Sequence, residues 1–438
     1  FNFGYNGSEN FAKGDRFGFF PAFSLAWNIA EETFMKGLTW LNMFKVRYSW
    51  GKTGNDILKK DLRFPYLYTI ETMMTDENEP KPTGGYQFAD VGYDRYYGGM
   101  RYSSLASTNV SWEISTKQDL GIDFSLFNDK LTGEIDYYKE KREGIYMERA
   151  YLPWIVGLES KPSANVGVVK AEGFDGRFTF KQKVDKVNLT IRGNMTYGKN
   201  EIVERDEENS IYWYKMQEGH RVNQAMGLVS LGLFKDYEEI RNWPKQFGEV
   251  MPGDIKYKDI NGDGQITETD MVPIGYPTSP EIIYGFGFSA GYKGFDLSCF
   301  FQGSARSSFW IDPENTAPFI GNQRTLLKAY ADDHWSEENR NLYALWPRLS
   351  ATKRTNNYQK STWFMRDGSF LRLKSVEMGY TIPEKITKKA HISMLRFYLS
   401  GTNLLTFSKF KLWDVEMGGK GLGYPVQMVI NAGVQLNF

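Results

Sequence analysis

The stretch Val426-Gln427-Met428-Val429-Ile430-Asn431-Ala432-Gly433-Val434-Gln435-Leu436-Asn437-Phe438 decides the fold. Val426, Met428, Ile430, Ala432, Val434, Leu436 and Phe438 share one phase, and Gln427, Val429, Asn431, Gly433, Gln435 and Asn437 share the other. Strand side chains alternate between two faces, so one face here is apolar and the other mostly polar. The length is near the ~9–11 residues a tilted strand needs to cross a bilayer. An open strand edge invites aggregation in a soluble domain, whereas a closed barrel pairs its last strand with its first. The stretch therefore points to a membrane β-barrel.

The same period recurs along the chain. Leu120, Ile122, Phe124 and Leu126 oppose Gly121, Asp123, Ser125 and Phe127. Leu131, Gly133, Ile135 and Tyr137 oppose Thr132, Glu134, Asp136 and Tyr138. Val187, Leu189 and Ile191 oppose Asn188, Thr190 and Arg192. Similar runs cover Tyr284–Tyr292 and Phe295–Gln302. In Trp363–Thr381, Leu371 and Leu373 change phase against Val376 and Met378, which predicts a β-bulge near Ser375.

The connections carry more information than the strands. Asn128-Asp129, Val184–Lys186 and Lys293-Gly294 are tight, and 31–37 and 382–393 are moderately short. Between them lie long segments at 54–111, 147–163, 200–280, 306–362 and 409–424. Short and long alternate strictly, as in outer-membrane barrels with short periplasmic turns and long extracellular loops. Counting back from a periplasmic C-terminus predicts about twelve strands, all with their long loops outside. The expected fold is an all-β transmembrane antiparallel barrel occupying residues 1–438. Because Phe1–Asn6 already reads as a strand, the chain is expected to be part of a longer polypeptide.

Composition agrees. Of 438 residues, 31 are Phe, 27 Tyr, 12 Trp and 43 Gly, a mix suited to aromatic girdles and turns. Mean hydropathy is negative, as alternation between lipid and lumen requires, and no run reaches the ~18 apolar residues of a spanning helix. The 53 basic and 53 acidic residues balance, so nothing points to a nucleic-acid partner. The single cysteine, Cys299, excludes an intramolecular disulfide framework and reads as a packing residue.

The sharpest local motif is Asp259-Ile260-Asn261-Gly262-Asp263-Gly264-Gln265-Ile266-Thr267-Glu268-Thr269-Asp270. It fits a calcium-type loop: oxygen ligands from Asp259, Asn261 and Asp263, the sharp turn at Gly264, the backbone of Gln265, and an acid at Asp270. Met271-Val272-Pro273 follows at once, so no helix pair flanks it, and the expected role of a bound Ca2+ is structural. An Asx/Gly turn cluster without metal is the plainer reading. Gly287-Phe288-Ser289-Ala290-Gly291 matches a nucleophile elbow, but lies inside an alternating strand, so no enzyme is expected. His220, His334 and His391 lack metal-ligand spacing, and Asp332-Asp333-His334-Trp335 reads first as a loop charge cluster. Two aromatic loop segments suit either cargo binding or packing against neighbouring loops: Tyr93, Asp94, Arg95, Tyr96 and Tyr97 within 84–99, and Trp213 between Tyr212 and Tyr214.

An ordered series of segments resembles one known family. It comprises Pro252-Gly253-Asp254-Ile255-Lys256-Tyr257 before the Asp259–Asp270 loop, then Ile274-Gly275-Tyr276-Pro277, and the hairpin from Tyr284-Gly285-Phe286 through Tyr292-Lys293-Gly294-Phe295-Asp296-Leu297 to Phe301-Gln302-Gly303. Later come Phe370-Leu371-Arg372-Leu373-Lys374-Ser375-Val376-Glu377-Met378-Gly379-Tyr380, Ser400-Gly401-Thr402-Asn403-Leu404-Leu405-Thr406-Phe407 and Gly423-Tyr424-Pro425. The series resembles the SusC/RagA family of TonB-dependent outer-membrane transporters of Bacteroidetes. That resemblance implies a barrel of about 22 strands, of which this chain would supply the later twelve or so, with a plug domain and TonB box outside it. It also implies multi-pass residence in outer-membrane lipid, coupling to the TonB complex through the missing N-terminal region, and a SusD-like surface lipoprotein as partner. The implied activity is import of nutrient oligomers, with oligosaccharides favoured over oligopeptides. The alternative is a passive porin-like or structural barrel. The family's calcium-type loop would fall on Asp259, Asn261, Asp263 and Asp270.

Overall fold

A computed structural model describes residues 1–58, 63–73, 86–87, 96–97, 99–104, 106–107, 109–150, 161–208, 210–319, 324–388, 391–421 and 423–438. Twelve strands form one sheet, each paired with the next in chain order. They are β1 (Asn2–Gly7), β2 (Phe17–Asn28), β3 (Leu41–Asn55), β4 (Glu113–Leu126), β5 (Leu131–Glu148), β6 (Ser163–Val184), β7 (Val187–Glu204), β8 (Ile282–Tyr292), β9 (Phe295–Ala305), β10 (Phe370–Thr381), β11 (Met394–Ser408) and β12 (Val429–Asn437). No helix among the described residues is long and apolar enough to cross a membrane.

Register turns the local alternation into two continuous surfaces. Leu25, Tyr48, Leu120, Tyr137, Phe174, Tyr197 and Ile282 lie side by side across seven strands. Further along, Phe295 pairs with Tyr380 and Tyr380 with Phe397, while Met378 pairs with Leu399. This face is apolar yet exposed: Leu25 is 69% accessible and Leu399 48%. Its solvent is lipid. Aromatics concentrate at the end with the short turns, where Trp40 stacks on Phe127 and Phe295 meets Tyr380 in a tilted contact at 4.4 Å. Toward the long loops, Lys139, Lys141, Lys170 and Glu172 replace Tyr137 and Phe174 on the same phase and mark the upper limit of the apolar band.

Short and long connections alternate as the sequence implies. The hairpin between β8 and β9 turns on Lys293 and Gly294, with φ of 48° and 90°. Two positive values make the type I′ turn whose twist suits a two-residue hairpin. A Cβ on Gly294 would also lie 2.6 Å from the Thr381 carbonyl oxygen. The expected bulge appears in β10, where the register shifts between Leu373 and Ser375. Three details differ from the sequence reading. The strand placed at Trp363–Thr381 begins at Phe370, because Met365–Asp367 pairs with Ser308–Trp310 in a separate loop hairpin. The last strand begins at Val429 rather than Val426, because Asn403, next in β11 after the Thr402–Val429 pair, has φ of 55° and its Nδ2 donates to the Gln427 carbonyl at 2.8 Å in place of the ladder. The pairing of last strand with first is not made within this chain, since β1 and β12 stand at opposite edges of the sheet.

The densest packing lies outside the wall. Segments 205–281, 306–369 and 409–428 all leave the sheet at the same end and share one apolar core, including Leu228, Ile255, Tyr257, Tyr330, Trp346 and Phe410. Tyr330 stacks on Trp346 at 4.4 Å, and Phe309 meets Phe410 edge-on at 5.0 Å. The long loops are thus a folded cap rather than separate excursions.

Candidate functional site

The inner face of the wall carries the charge that the outer face lacks. Arg47, Gly121, Asp136 and Asp175 follow one another across β3 to β6. Arg47 donates from Nε to Asp123 at 2.9 Å, its Nη2 reaches Asp136 at 2.8 Å, and Lys45 lies 3.5 Å from Asp123. Gly121 makes this possible: a Cβ there would sit 2.1 Å from the Asp136 carboxylate and 2.7 Å from the guanidinium. On the far side Arg396 of β11 reaches Asp296 of β9 at 3.0 Å and Glu377 of β10 at 2.7 Å. Such ladders keep the interior polar and hydrated.

The cap is held to itself by buried polar bonds. Asp254 is inaccessible; it pairs with Arg348 at 2.7 Å and accepts from Asn357 Nδ2 at 2.8 Å and from the Met251 amide at 2.8 Å. Asn357 Oδ1 accepts from the Ile255 amide at 2.9 Å, and Asn356 Nδ2 donates to the Ile255 carbonyl at 2.7 Å. The Tyr257 hydroxyl donates to the Asn356 carbonyl at 2.8 Å, and full burial raises its pKa above the ordinary tyrosine value. The Leu228 amide donates to the Lys360 carbonyl and the Thr362 amide to that of Leu228, both at 2.9 Å. Arg372 of β10, 2% exposed, anchors the third loop through Asp414 at 2.7 Å and Glu416 at 2.8 Å. At the seam of cap and wall, buried Glu281 pairs with Arg221 and with Arg306, the latter at 2.7 Å.

The calcium-type loop is folded into this cap, closed by its own amides. Asp259 accepts from Gly262 and Gly264 at 2.7 and 2.9 Å, Asn261 from Asp263 at 3.0 Å, and Asp263 from Gln265 at 2.8 Å. These are Asx-type turns, which close the loop on its own amides and occupy both Asp259 oxygens. Asp270 is inaccessible; its oxygens accept from Ile260 at 2.8 Å and Thr267 at 2.8 Å, in a capping box with Thr267. Among the described residues no group of three or more His, Cys, Asp or Glu side chains is placed to hold a metal ion. The donors are hard oxygens, the right chemistry for Ca2+, but Asp270 is committed to amides. Tyr212 and Tyr214 brace the loop, Asn261 Nδ2 donating to the first hydroxyl at 3.4 Å and the second donating to the Thr269 carbonyl at 2.8 Å. Trp213 between them is 78% exposed.

Of the other aromatic segment, Tyr96–Tyr97 forms a short strand paired with Tyr86–Gln87. Tyr93, Asp94 and Arg95 lie outside the described residues. Ser289 sits in mid-strand, opposite Thr190 and Ser298, with no helix after it, so the elbow geometry is lacking. Cys299 is a half-buried strand residue between Phe288 and Val376. The Asp332–Trp335 cluster closes a loop: His334 Nδ1 lies 2.9 Å from the Tyr330 carbonyl, and Asp333 accepts from the Leu345 amide at 3.1 Å.

Sequence reasoning missed a cleft of about 450 Å³ on the inner face, where β5, β6 and β7 rise above the apolar band. Two rows floor it, Glu140–Ala171–Asn200 and Arg142–Val169–Ile202. The legible signal was apolar Val169, Ala171 and Ile202 on a phase that lower down carries Asp175, Arg177 and Asn194.

A two-faced antiparallel wall with three long loops folded together at one end defines the class: a transmembrane β-barrel of outer-membrane type. No protein-family model matches the chain. TonB-dependent receptor P3 of Formosa agariphila is 29% identical over 425 residues, covering 94% of this chain and 39% of its own length. TonB-dependent receptor P26 of the same organism is 27% identical, covering 99% and 44%. TonB-dependent receptor SusC of Bacteroides thetaiotaomicron is 25% identical, covering 100% and 42%. The chain therefore spans about two fifths of the length of these curated relatives. Among solved structures, the RagAB peptide importer in its open-open state superposes with a TM-score of 0.73 at 22% identity, covering 98% of this chain and 44% of that one. The RagAB peptide transporter gives 0.70 at 22% identity, covering 99% and 45%. The chain is a homologue of the TonB-dependent receptors of the SusC/RagA kind.

Proposed function

We propose that this chain is part of the wall and the extracellular cap of an outer-membrane importer that takes nutrient oligomers, oligosaccharide or oligopeptide, from a SusD-like lipoprotein and is driven through TonB. The observation that carries the reading is the pairing of a polar, ion-paired lumen with a cap built from three long loops. A passive pore needs only the lumen; a folded cap over its mouth suits handover from a partner. The relatives named above support the TonB coupling, and the apolar outer face supports residence in outer-membrane lipid. The cap's exposed Trp213 and Tyr343 are side chains a cargo or a lipoprotein would meet first. No step requires chemistry on the cargo.

The test is uptake by cells carrying the full-length protein, with and without TonB and with and without the proposed SusD-like lipoprotein. The importer reading expects uptake to need both. Uptake that persists without TonB would instead establish a passive porin-like barrel.

The reading includes a structural Ca2+ held by Asp259, Asn261, Asp263 and the Gln265 backbone. Because Asp270 is already satisfied by amides, the expected affinity is weak, about 10⁻⁴–10⁻³ M as in extracellular modules.

A further inference from the structure

Resting on the importer reading, we propose that the cleft above β5, β6 and β7 is a cargo subsite and that its cargo is peptide, not glycan. Its place fits a site of first capture. The lining residues lie at the loop ends of strands of 18, 22 and 18 residues, about twice the ~9–11 needed to cross the bilayer. The cleft therefore stands outside the membrane and faces the lumen. Segment 219–222 straps it: the Val222 amide donates to Asn200 Oδ1 at 2.8 Å and the Ile202 amide to the His220 carbonyl at 2.8 Å. Its volume of about 450 Å³ lies in the range of small-ligand sites, ~300–1,000 Å³.

The lining chemistry selects the class. Ile145, Met147, Val169, Ile202 and Val222 supply aliphatic surface, and no aromatic side chain is among the described lining residues. Among the described lining residues a sugar ring would find no aromatic face to stack on, and hydroxyls set against the aliphatic side would lose water without replacement. A peptide alternates apolar side chains with amides and suits both kinds of surface. Asn200 Nδ2 has no partner among the described residues and can donate to a peptide carbonyl. Glu204 is free of ion pairs among the described residues and can accept a terminal amine or a basic side chain. Glu140 is held by Ser115 at 2.6 Å and by Arg142 at 3.1 Å, so it fixes Arg142 across the floor. Flexible Met147 lets the aliphatic side accept more than one residue type.

The experiment uses the full-length protein extracted from outer membranes in mild detergent with its lipoprotein, if one accompanies it. Two probes are titrated calorimetrically: a library of short peptides with Leu, Ile or Val at alternate positions, and a mixture of linear oligosaccharides of similar mass. The variant Ala171→Trp fills the floor of the cleft, and Arg142→Gln changes its polar side with less bulk. Heat-modifiable gel mobility establishes that each variant is folded; Arg142→Gln carries the test if Ala171→Trp is not. The peptide library is expected to bind the natural protein and to lose about tenfold in affinity in either folded variant. Unchanged peptide affinity in the folded variants overturns the subsite, and binding of oligosaccharides alone overturns the cargo class. In those two cases TonB-dependent uptake of the bound class would leave the importer reading standing. Uptake independent of TonB would remove that reading instead, whatever the cleft binds.

Discussion

The wall and the cap bury apolar surface in opposite ways. In the wall, Leu25, Phe286, Leu399 and Val434 point outward and stay exposed within the protein. In the cap, Leu228, Ile255, Tyr257 and Trp346 are sealed inside. The wall is held by ladder bonds between neighbouring strands, the cap by side-chain bonds such as Asp254 to Arg348. The wall therefore needs an apolar surrounding, lipid or a detergent that replaces it, to match its outer face. The cap carries its own core and follows the rules of a water-soluble domain.

That contrast can be broken at named residues. The largest effect is expected from Asp254→Ala, which leaves Arg348 buried without its carboxylate. The cap should lose about 3–5 kcal/mol, seen as lost hydrogen-exchange protection near Ile255 while β6 and β7 keep theirs. Equal loss in both regions would show that cap and wall unfold as one. Leu399→Lys on the outer face should cost about 2–4 kcal/mol in lipid vesicles and leave cap protection untouched. If the cost is as large in a detergent that already solvates the face unevenly, the lipid-facing assignment fails.

The next effect is in pH. Burial raises the Tyr257 pKa, and Tyr330 is raised by burial as well. A tyrosine held above its ordinary value of about 10 contributes stability below that pH and loses it as pH rises through the folded value. The cap should therefore open at alkaline pH before the wall does, and Tyr257→Phe should delay that opening. A smaller effect is expected from calcium: millimolar Ca2+ should raise protection of 259–270 in the natural protein but not in Asp259→Asn combined with Asp263→Asn. No change with Ca2+ would leave the loop closed by its amides alone. The smallest is Ser289→Ala, within about 0.5 kcal/mol and without loss of any esterase activity; such a loss would revive a catalytic reading.

Most of the wall was legible. Alternating pairs such as Ile135/Asp136 and Ile191/Arg192 are separate by phase, and the registers of β4 with β5 and of β8 with β9 followed from the tight turns at Asn128-Asp129 and Lys293-Gly294. The β10 bulge was visible as a phase change at Leu373. The cap was read only as long connections, since Trp335, Trp346 and Phe364 show no period that separates core from surface. The Asp259–Asp270 motif was recognised, but not its bracing by Tyr212 and Tyr214, which come from a distant turn of the same loop. The cleft was missed because its lining is shared among three strands and the segment that carries Val222, so no single strand displays it.

By itself the sequence determined which residues meet lipid and which meet the lumen, because strand phase is a local property repeated every second residue. It also determined which end bears the loops, through the alternation of short and long connections. Only the tertiary structure decided that the loops form one cap and where the cleft opens. Those outcomes rest on pairings such as Ile255 with Asn357 and Asp254 with Asn357, 102 and 103 positions apart, whose partners are chosen by packing rather than by any period in the chain.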